Sequence, residues 1–265
     1  MKVLFLVFLF VLGACIGSFL CCQARRLRLK EQKKKSLGSR SVCLSCHHQL
    51  KWYDNLPIIS WLSLKGKCRY CHKKIGIAEL LSEFGLATAF CMIGATIDIA
   101  TMMHLEWITF ILILLFTAIL AFLAIYDGLY GELPTRCLTY AIILAIIHLS
   151  LNTYLRISTT GFSSELIWQT LLSVAILGGI YLILYLVSKG RWVGDGDWLL
   201  GTAIGIVLAN AWLALIALFL ANFIACLIMY PATKSKKNHR IHFGPFLVIA
   251  FVITFSFAKF FLTML

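Results

Sequence analysis

Negatively charged residues are scarce in this sequence, which has 11 Asp and Glu residues against 24 Lys and Arg residues. The resulting formal net charge of +13 resembles that of nucleic-acid-binding proteins, but its distribution argues against that class. Fourteen basic residues lie between positions 25 and 78, and four more lie in Lys234–Arg240. Basic clusters between long apolar segments are typical of the cytoplasmic loops of membrane proteins. We therefore expect the lipid bilayer, and no nucleic acid, as the partner of these charges.

A signal-peptide cleavage site is also missing near the start of the chain. Lys2 precedes an apolar stretch from Val3 to about Leu20, which is long for the hydrophobic region of a signal peptide. No small-residue cleavage site separates this stretch from the basic cluster Arg25–Lys35. Because most of the positive charge follows the stretch, we expect a retained membrane span with its N-terminus outside the cell.

Long apolar runs make up most of the chain, which is 61% hydrophobic with a mean hydropathy of +0.91. Soluble domains contain only about 45–50% apolar residues, so these runs indicate membrane spans. The sequence predicts an all-α polytopic membrane protein with about eight transmembrane helices. They are expected at roughly 3–23, 79–100, 106–126, 135–152, 165–187, 196–210, 212–230 and 243–264, with a turn at Ala209–Asn210–Ala211 between the sixth and seventh.

The predicted spans divide the chain into three parts. Residues 1–23 form the first transmembrane helix, residues 24–78 a cytoplasmic insert, and residues 79–265 a membrane domain of about seven helices. This arrangement places 21 of the 24 basic residues at the cytoplasmic side, which is the bias that the positive-inside rule requires. We expect a multi-pass protein of the bacterial cell membrane.

The insert carries two Cys-x-x-Cys pairs, Cys43 with Cys46 and Cys68 with Cys71. Two such pairs supply the four thiolates of a closed tetrahedral zinc site, which is structural because no position is left for water. The alternatives are free thiols or disulfides, and a reducing cytosol disfavours the disulfides. An insert of about fifty residues needs a stabilising cross-link of this kind to fold. The neighbouring histidines could replace a cysteine as ligand: they are His47, His48 and His72.

Two acidic clusters lie at the predicted cytoplasmic ends of spans. Asp127 ends the third span, and Asp197 begins the sixth within Gly194-Asp195-Gly196-Asp197. Two carboxylates from different helices can share a proton, as in aspartic proteases, where one activates water and the other polarises the scissile carbonyl. Gly194 and Gly196 would allow a sharp turn and a close approach of the substrate backbone.

The spacing of the acidic residues leaves alternatives open. Asp197 could simply cap the sixth helix, and either aspartate could be solvated at the membrane edge. Glu132 and Asp195 are near enough to compete for the same role. Spacing alone does not choose among the four carboxylates.

Six motifs in order along nearly the full chain resemble the type IV prepilin peptidases, a bacterial family of membrane aspartic proteases. They are Gly13–Leu20, Asp54–Trp61 with Gly66–Cys71, Glu83, Asp127 seven residues before Pro134, Gly194–Asp197 and Phe243–Phe246. The resemblance implies that Asp127 and Asp197 are the catalytic pair. It also implies pilin-like precursors as substrates, cut between a short basic leader and a hydrophobic helix at the cytoplasmic membrane face.

Many members of this family also methylate the new N-terminus with S-adenosylmethionine. The resemblance therefore implies this cofactor, although the sequence has no glycine-rich cofactor motif of its own. Three departures from the family pattern bear on methylation: Leu199, Cys21 and Glu79–Leu80. None of them removes a catalytic carboxylate.

Two other functional classes remain as alternatives to the peptidase. A non-enzymatic membrane scaffold would dock a partner through the zinc insert and use the aspartates as caps. A transporter would use Asp127 and Asp197 as a proton or cation relay, but such residues are expected near the bilayer midplane rather than at its edge.

Overall fold

The structure is a computed structural model that describes residues 1–32, 41–43, 45–99, 102–161, 163–191, 193–233 and 242–264. The described part of the chain is helical and contains no β-strand, only the isolated bridges Val42–Gln49 and Lys67–Lys74. The predicted all-α membrane fold is confirmed.

Eleven α-helices are present in the described residues. They are α1 Lys2–Glu31, α2 Ile59–Ser63, α3 Ile77–Ala95, α4 His104–Tyr130, α5 Thr135–Thr160, α6 Ser164–Val174, α7 Ile180–Ser188, α8 Asp197–Leu208, α9 Ala211–Thr233, α10 Gly244–Ser256 and α11 Ala258–Thr263. A 3₁₀ turn, Trp52–Asn55, precedes α2, and a π-helical turn, Ala175–Gly179, joins α6 to α7 into one continuous helix.

Each of the eight predicted spans corresponds to an apolar helix in the structure. Six helical segments, counting α6 and α7 as one, are long and apolar enough to cross a membrane. The helices α8 and α10 are apolar but shorter, with 12 and 13 residues. The predicted turn between the sixth and seventh spans is confirmed, because Ala209 adopts a left-handed φ of 47° and ends α8.

Several helix ends differ from the predicted spans. The helix α1 continues to Glu31, since long basic side chains at its end can keep their charges in water while the backbone stays helical. The last predicted span is divided at Phe257 into α10 and α11. The π-helical turn at Ala175–Gly179 was not predicted, because an apolar run gives no sign of one extra residue in a helical turn.

The chain forms two compact units, Met1–Gly94 and Ala95–Leu265. In the first unit, α1 packs closely on α3 through two glycines one helical turn apart. A Cβ atom on Gly13 would lie 2.8 Å from the Cα atom of Ala87, and one on Gly17 would lie 2.9 Å from the Cα atom of Glu83. Small residues at this spacing let membrane helices approach until their backbones touch.

In the second unit, α8 is the most enclosed helix and packs against α5, α6 and α10. Two glycines again permit the contact. A Cβ atom on Gly201 would lie 2.9 Å from the carbonyl carbon of Leu177, and one on Gly205 would lie 3.0 Å from the Cα atom of Val174. The Ser173 hydroxyl adds a 2.8 Å hydrogen bond to the Gly205 carbonyl. This packing fixes the position of Asp197 at the start of α8.

Candidate active site and metal centre

Asp127 lies in the last turn of α4 and is only 6% exposed. The helix ends at Tyr130, and the next residue, Gly131, has a left-handed φ of 70° that lets its N–H donate a 2.7 Å hydrogen bond to the Asp127 carbonyl. The Asp127 side chain points into the second unit, where its Oδ2 accepts a 2.9 Å hydrogen bond from the Gly244 N–H. The carboxylate is therefore held by two different helices.

The start of α10 provides this hydrogen bond because of the pair Gly244-Pro245. A Cβ atom on Gly244 would lie 2.9 Å from Asp127 Oδ2, so a larger residue would push the carboxylate away. Pro245 begins the helix without needing a hydrogen bond for its own nitrogen. The free N–H groups at the start of a helix favour a negative charge, and here one of them, the Gly244 N–H, donates to Asp127.

His242 is a site residue that the sequence did not predict. Its Nδ1 lies 3.7 Å from Asp127 Oδ1, and its side chain is 40% exposed. The ring packs over Gly131, where a Cβ atom would come within 2.6 Å of Cε1. The only sequence signal was its position directly before Phe243-Gly244-Pro245, and a single histidine beside a motif is ordinarily a surface residue.

Asp197 is the first residue of α8 and is also only 6% exposed. Its Oδ2 accepts a 2.9 Å hydrogen bond from the Gly194 N–H, while its own N–H donates to the Gly194 carbonyl at 3.3 Å. An N-cap would instead accept from amides further inside α8, and the capping position is occupied by Gly196. The carboxylate is thus fixed by the glycine turn that precedes it.

The two glycines of the motif have different roles in the structure. The Gly194 N–H donates to the Asp197 carboxylate. Gly196 is buried against Leu133, and a Cβ atom there would lie 2.6 Å from the Leu133 Cβ. Gly196 therefore lets the segment that follows α4 approach the start of α8, a role that the predicted close approach of a substrate did not include.

The structure places Asp127 and Asp197 within electrostatic range of each other, and burial distinguishes both from the two competing carboxylates, although Asp195 also lies within electrostatic range of Asp197. Asp197 lies within electrostatic range of Asp127, and both side chains are buried. Glu132 and Asp195 are exposed. Tyr181 from α7, only 2% exposed, also lies within electrostatic range of Asp197.

The Tyr181 hydroxyl accepts a 3.3 Å hydrogen bond from the Asn222 amide, and its ring lies 5.2 Å from that of Phe243. The acidic pair therefore sits in a largely apolar wall built from α4, α7, α8 and α10. A buried pair of carboxyls in such surroundings is suited to acid–base catalysis.

The four predicted cysteine ligands meet in the first unit. The Sγ atoms of Cys43, Cys46, Cys68 and Cys71 lie within 4.8 Å of one another. The Sγ atoms of Cys43 and Cys71 are 3.9 Å apart, close to the roughly 3.8 Å expected for two thiolates about 2.3 Å from one tetrahedral zinc ion. These residues fit a zinc ion.

The two Cys-x-x-Cys pairs are each followed by a histidine whose N–H returns to the first cysteine. The Cys43 carbonyl accepts from the His47 N–H at 2.9 Å, and the Cys68 carbonyl accepts from the His72 N–H at 3.0 Å. Both histidines adopt a left-handed φ of 55° to close the turn. With both turns closed in this way, the thiols of the two pairs lie close together.

The histidines next to the cysteines are exposed and are absent from the metal-type cluster among the described residues. Partial burial acts to raise the pKa of the Cys43 thiol, but hydrogen bonds from Cys46 and Ser45 outweigh it and lower this pKa to about 7.

Fold and site together define a multi-pass helical membrane protein with a buried pair of aspartates and a four-cysteine cluster of the metal-binding kind. Comparison with known proteins supports this description. Residues 11–97 match the family model described as the bacterial peptidase A24 N-terminal domain. The chain is 30% identical over 266 residues to a prepilin leader peptidase/N-methyltransferase of Vibrio cholerae, covering 96% of this chain and 98% of that protein. The chain belongs to the prepilin leader peptidase/N-methyltransferase family.

Two other proteins of the same name are similar to parts of the chain. The Myxococcus xanthus protein is 43% identical over 91 residues, which cover 34% of this chain and 26% of that protein. The Dichelobacter nodosus protein is 26% identical over 230 residues, covering 86% and 75% of the two chains. No solved structure matches.

Proposed function

We propose that this protein is a membrane aspartic endopeptidase that removes the basic leader from pilin-like precursors, with Asp127 and Asp197 as its catalytic pair. The observation that carries the proposal is the burial of two carboxylates from separate helices within electrostatic range of each other. The family relationship supports the substrate class, since its characterised members are named for acting on prepilins.

Each carboxylate accepts one backbone N–H. Asp127 has the better setting for negative charge, because His242 lies beside it, whereas the Asp195 carboxylate lies within electrostatic range of Asp197. In the proposed reaction, ionised Asp127 takes a proton from water while the water oxygen bonds to the scissile carbonyl carbon. Protonated Asp197 gives its proton to the carbonyl oxygen. The intermediate then collapses: the C–N bond breaks, the leaving amine takes up the proton held by Asp127, and one hydroxyl of the intermediate returns its proton to Asp197 as the new carbonyl forms.

The charge distribution supports a site at the cytoplasmic face of the bacterial cell membrane, with the N-terminus outside. There, the hydrophobic helix of the precursor would remain in the bilayer and its leader would reach the acidic pair from the aqueous side. A structural zinc ion bound to its four cysteines would stabilise the insert. We also propose that the protein methylates the new N-terminus, as the names of its relatives suggest.

A gel-shift assay tests the peptidase proposal. A pilin-like precursor is co-expressed with wild-type protein, Asp127→Asn or Asp197→Asn, and membrane levels are compared. Each isosteric change removes one proton-transferring carboxyl, so cleavage should fall about 100-fold or more. The exposed Glu132 supplies a matched control, Glu132→Gln, which should cleave normally.

Normal cleavage by either catalytic variant would exclude the proposed mechanism. If cleavage instead depends on Glu132, the acidic pair has been assigned wrongly. If the wild type cleaves no precursor but captures a cytoplasmic partner through the insert, the scaffold alternative is favoured.

A further inference from the structure

The short helix α2 of the insert exposes an apolar face that the peptidase proposal does not use. Ile59 and Leu62, three residues apart and so on one side of the helix, are 65% and 58% exposed. Ser60 and Trp61, on the opposite side, are partly buried and face the inside of the first unit. Exposed apolar side chains grouped in this way mark a surface that contacts a protein or a membrane.

The start of α2 is bonded to α3 at a point well inside that helix. The Ile58 N–H donates a 2.6 Å hydrogen bond to Oε2 of Glu83, which is buried. Glu83 lies six residues after Ile77, the first residue of α3, or about 9 Å along the helix axis at ~1.5 Å per residue. Ile58 has a φ of 62°, which a β-branched residue keeps only where its surroundings fix it, so the attachment point is well defined.

The length of α3 relates this attachment point to the bilayer. With 19 residues, α3 is one of the helices apolar enough to cross a membrane, and it is about 28 Å long at ~1.5 Å per residue. The hydrocarbon core is about 30 Å thick, so the first turn of α3 already lies at its edge. The start of α2 is then about 9 Å inside this edge, and helices that lie in a membrane surface bury their apolar face by roughly 5–10 Å.

The apolar face of α2 lies at the same level as a lipid-facing surface of α3. Leu81 and Phe84, which flank Glu83 in the sequence, are both exposed. Because α3 is a membrane span, these side chains contact acyl chains. Ile59 directly follows the residue that is bonded to Glu83, so the same hydrocarbon that contacts α3 is available to α2.

The charges around α2 also fit a membrane surface. Lys65 and Lys67 follow α2 closely and are exposed. Long lysine side chains can place their apolar stems along hydrocarbon while the ammonium groups reach lipid phosphates. The carboxylate nearest to α2 in the sequence, Asp54, is turned inward and paired with Arg69 at 2.8 Å, so it does not oppose such a contact.

We propose that α2 anchors the insert in the membrane, with Ile59 and Leu62 among the acyl chains and Lys65 and Lys67 at the lipid phosphates. The partner is the bilayer itself, and the insert is then a membrane-bound element rather than a free loop between α1 and α3. The assignment to the cytoplasmic leaflet rests on the proposed orientation of the protein, whereas the contact with lipid does not.

Photo-crosslinking tests this contact directly. Full-length zinc-loaded protein, with a benzophenone amino acid replacing Ile59 or Leu62, is illuminated in liposomes of phosphatidylethanolamine and phosphatidylglycerol, and the adducts are identified by mass spectrometry. Both positions should form lipid adducts in yields similar to that of the same replacement at Leu81. Asp127→Asn should leave these yields unchanged although it cleaves nothing, which separates this inference from the peptidase proposal.

Gln32 provides the matched control for the crosslinking. It is exposed and follows the end of α1, seven residues beyond Arg25, which pairs with Glu79 in the first turn of α3. Gln32 therefore lies about 10 Å further from the bilayer at ~1.5 Å per residue. The benzophenone replacement at this position should lose most of the lipid adduct.

A charge substitution provides a second readout. Leu62→Asp places a carboxylate among acyl chains, so it should lower the midpoint of thermal unfolding in liposomes by several degrees. Gln32→Asp adds the same charge at a position in water and should leave the midpoint unchanged. Zinc content reports whether each variant is folded.

Four results would overturn the inference. Lipid adducts at position 81 but not at 59 and 62 would place α2 outside the bilayer. Adducts to a second copy of the chain in place of lipid would identify the face as a dimer interface. Replacement of the lipid adducts by adducts to an added pilin-like precursor would identify it as a substrate surface. An unchanged unfolding midpoint for Leu62→Asp would show that this side chain faces water.

Discussion

At the scale of single residues, the acidic site depends on neighbours that come from distant parts of the chain. Asp127 receives its backbone hydrogen bond from Gly244, which is 117 residues away, while Asp197 receives its bond from Gly194 only three residues earlier. The two carboxylates therefore differ in how they are held. Asp127 should be the more sensitive of the two to changes at the start of α10.

His242 provides the first prediction at this scale. His242→Phe removes the ring nitrogen that lies 3.7 Å from Asp127 Oδ1 and should lower the cleavage rate about tenfold, because the charge and position of Asp127 are less well supported. The measurement is kcat and KM on purified precursor, and the loss should appear mainly in kcat.

His242→Gln keeps a donor at this position and should recover part of the rate. His104→Phe, at the exposed start of α4, is the matched control. Equal kcat values for His242→Phe and the wild type would show that the contact has no catalytic effect.

At the scale of secondary-structure elements, the short helix α8 stays in place through backbone contact. Its 12 residues are too few to cross a bilayer alone, since a membrane helix needs about 20 residues. The glycine contacts with α6 and the π-helical turn compensate by burying α8 inside the second unit. The position of Asp197 thus depends on a helix contact well inside that unit.

Gly201→Ala tests this dependence. The added Cβ atom would lie 2.9 Å from the Leu177 carbonyl carbon, so the helices must separate at a cost of about 1–3 kcal/mol in the free energy of unfolding. Thermal unfolding in detergent and precursor cleavage should both decline. Gly179→Ala is the control, because nothing lies within 4 Å of the Cβ atom that this change would add. Unchanged unfolding of Gly201→Ala would contradict close helix packing at this point.

The insert is the second element whose stability can be tested. We expect one zinc ion per purified chain, and Cys43→Ser should lose it, because three thiolates and a hydroxyl bind zinc more weakly than four thiolates. Cleavage should fall only in part, since the acidic pair is intact. Metal analysis and thiol titration measure the effect, and Cys226→Ser, exposed on α9, is the control. Full zinc content in Cys43→Ser would exclude this residue as a ligand.

At the scale of the whole molecule, the charge bias makes a prediction about orientation. Reporter fusions on either side of α5, after Gly131 and after Gly161, should give opposite results, because the helix is long enough to cross the bilayer. Green fluorescent protein should fluoresce after Gly131, and alkaline phosphatase should be active after Gly161. The reverse pattern would place the acidic pair outside the cytoplasm and exclude the proposed reaction there.

Most of the membrane fold could be predicted from the sequence, because a long apolar run indicates a membrane helix whichever helices it packs against. All eight predicted spans have a helical counterpart, and even the turn at Ala209–Asn210–Ala211 was confirmed. The π-helical turn and the break at Phe257 could not be predicted, because local hydropathy does not change there.

Of the two candidate sites, the metal cluster could be predicted from the residues alone, but the acidic pair could not. The thiols of the metal cluster lie in two short repeated turns, so ligand type and local spacing were enough to find them. The carboxylates were harder, because spacing left four of them equivalent and only the resemblance to a family chose two. Burial then distinguished these two from Glu132 and Asp195.

By itself, the sequence determined that this protein is a helical membrane protein with a cysteine-rich insert, because hydropathy, charge bias and ligand type are local properties of the chain. Only the tertiary structure decided which groups lie together: His242 beside Asp127, Gly196 against Leu133, and the Ile58 N–H on the Glu83 carboxylate. The physical reason is that such contacts join residues far apart in the chain. Their distances depend on how closely the helices pack.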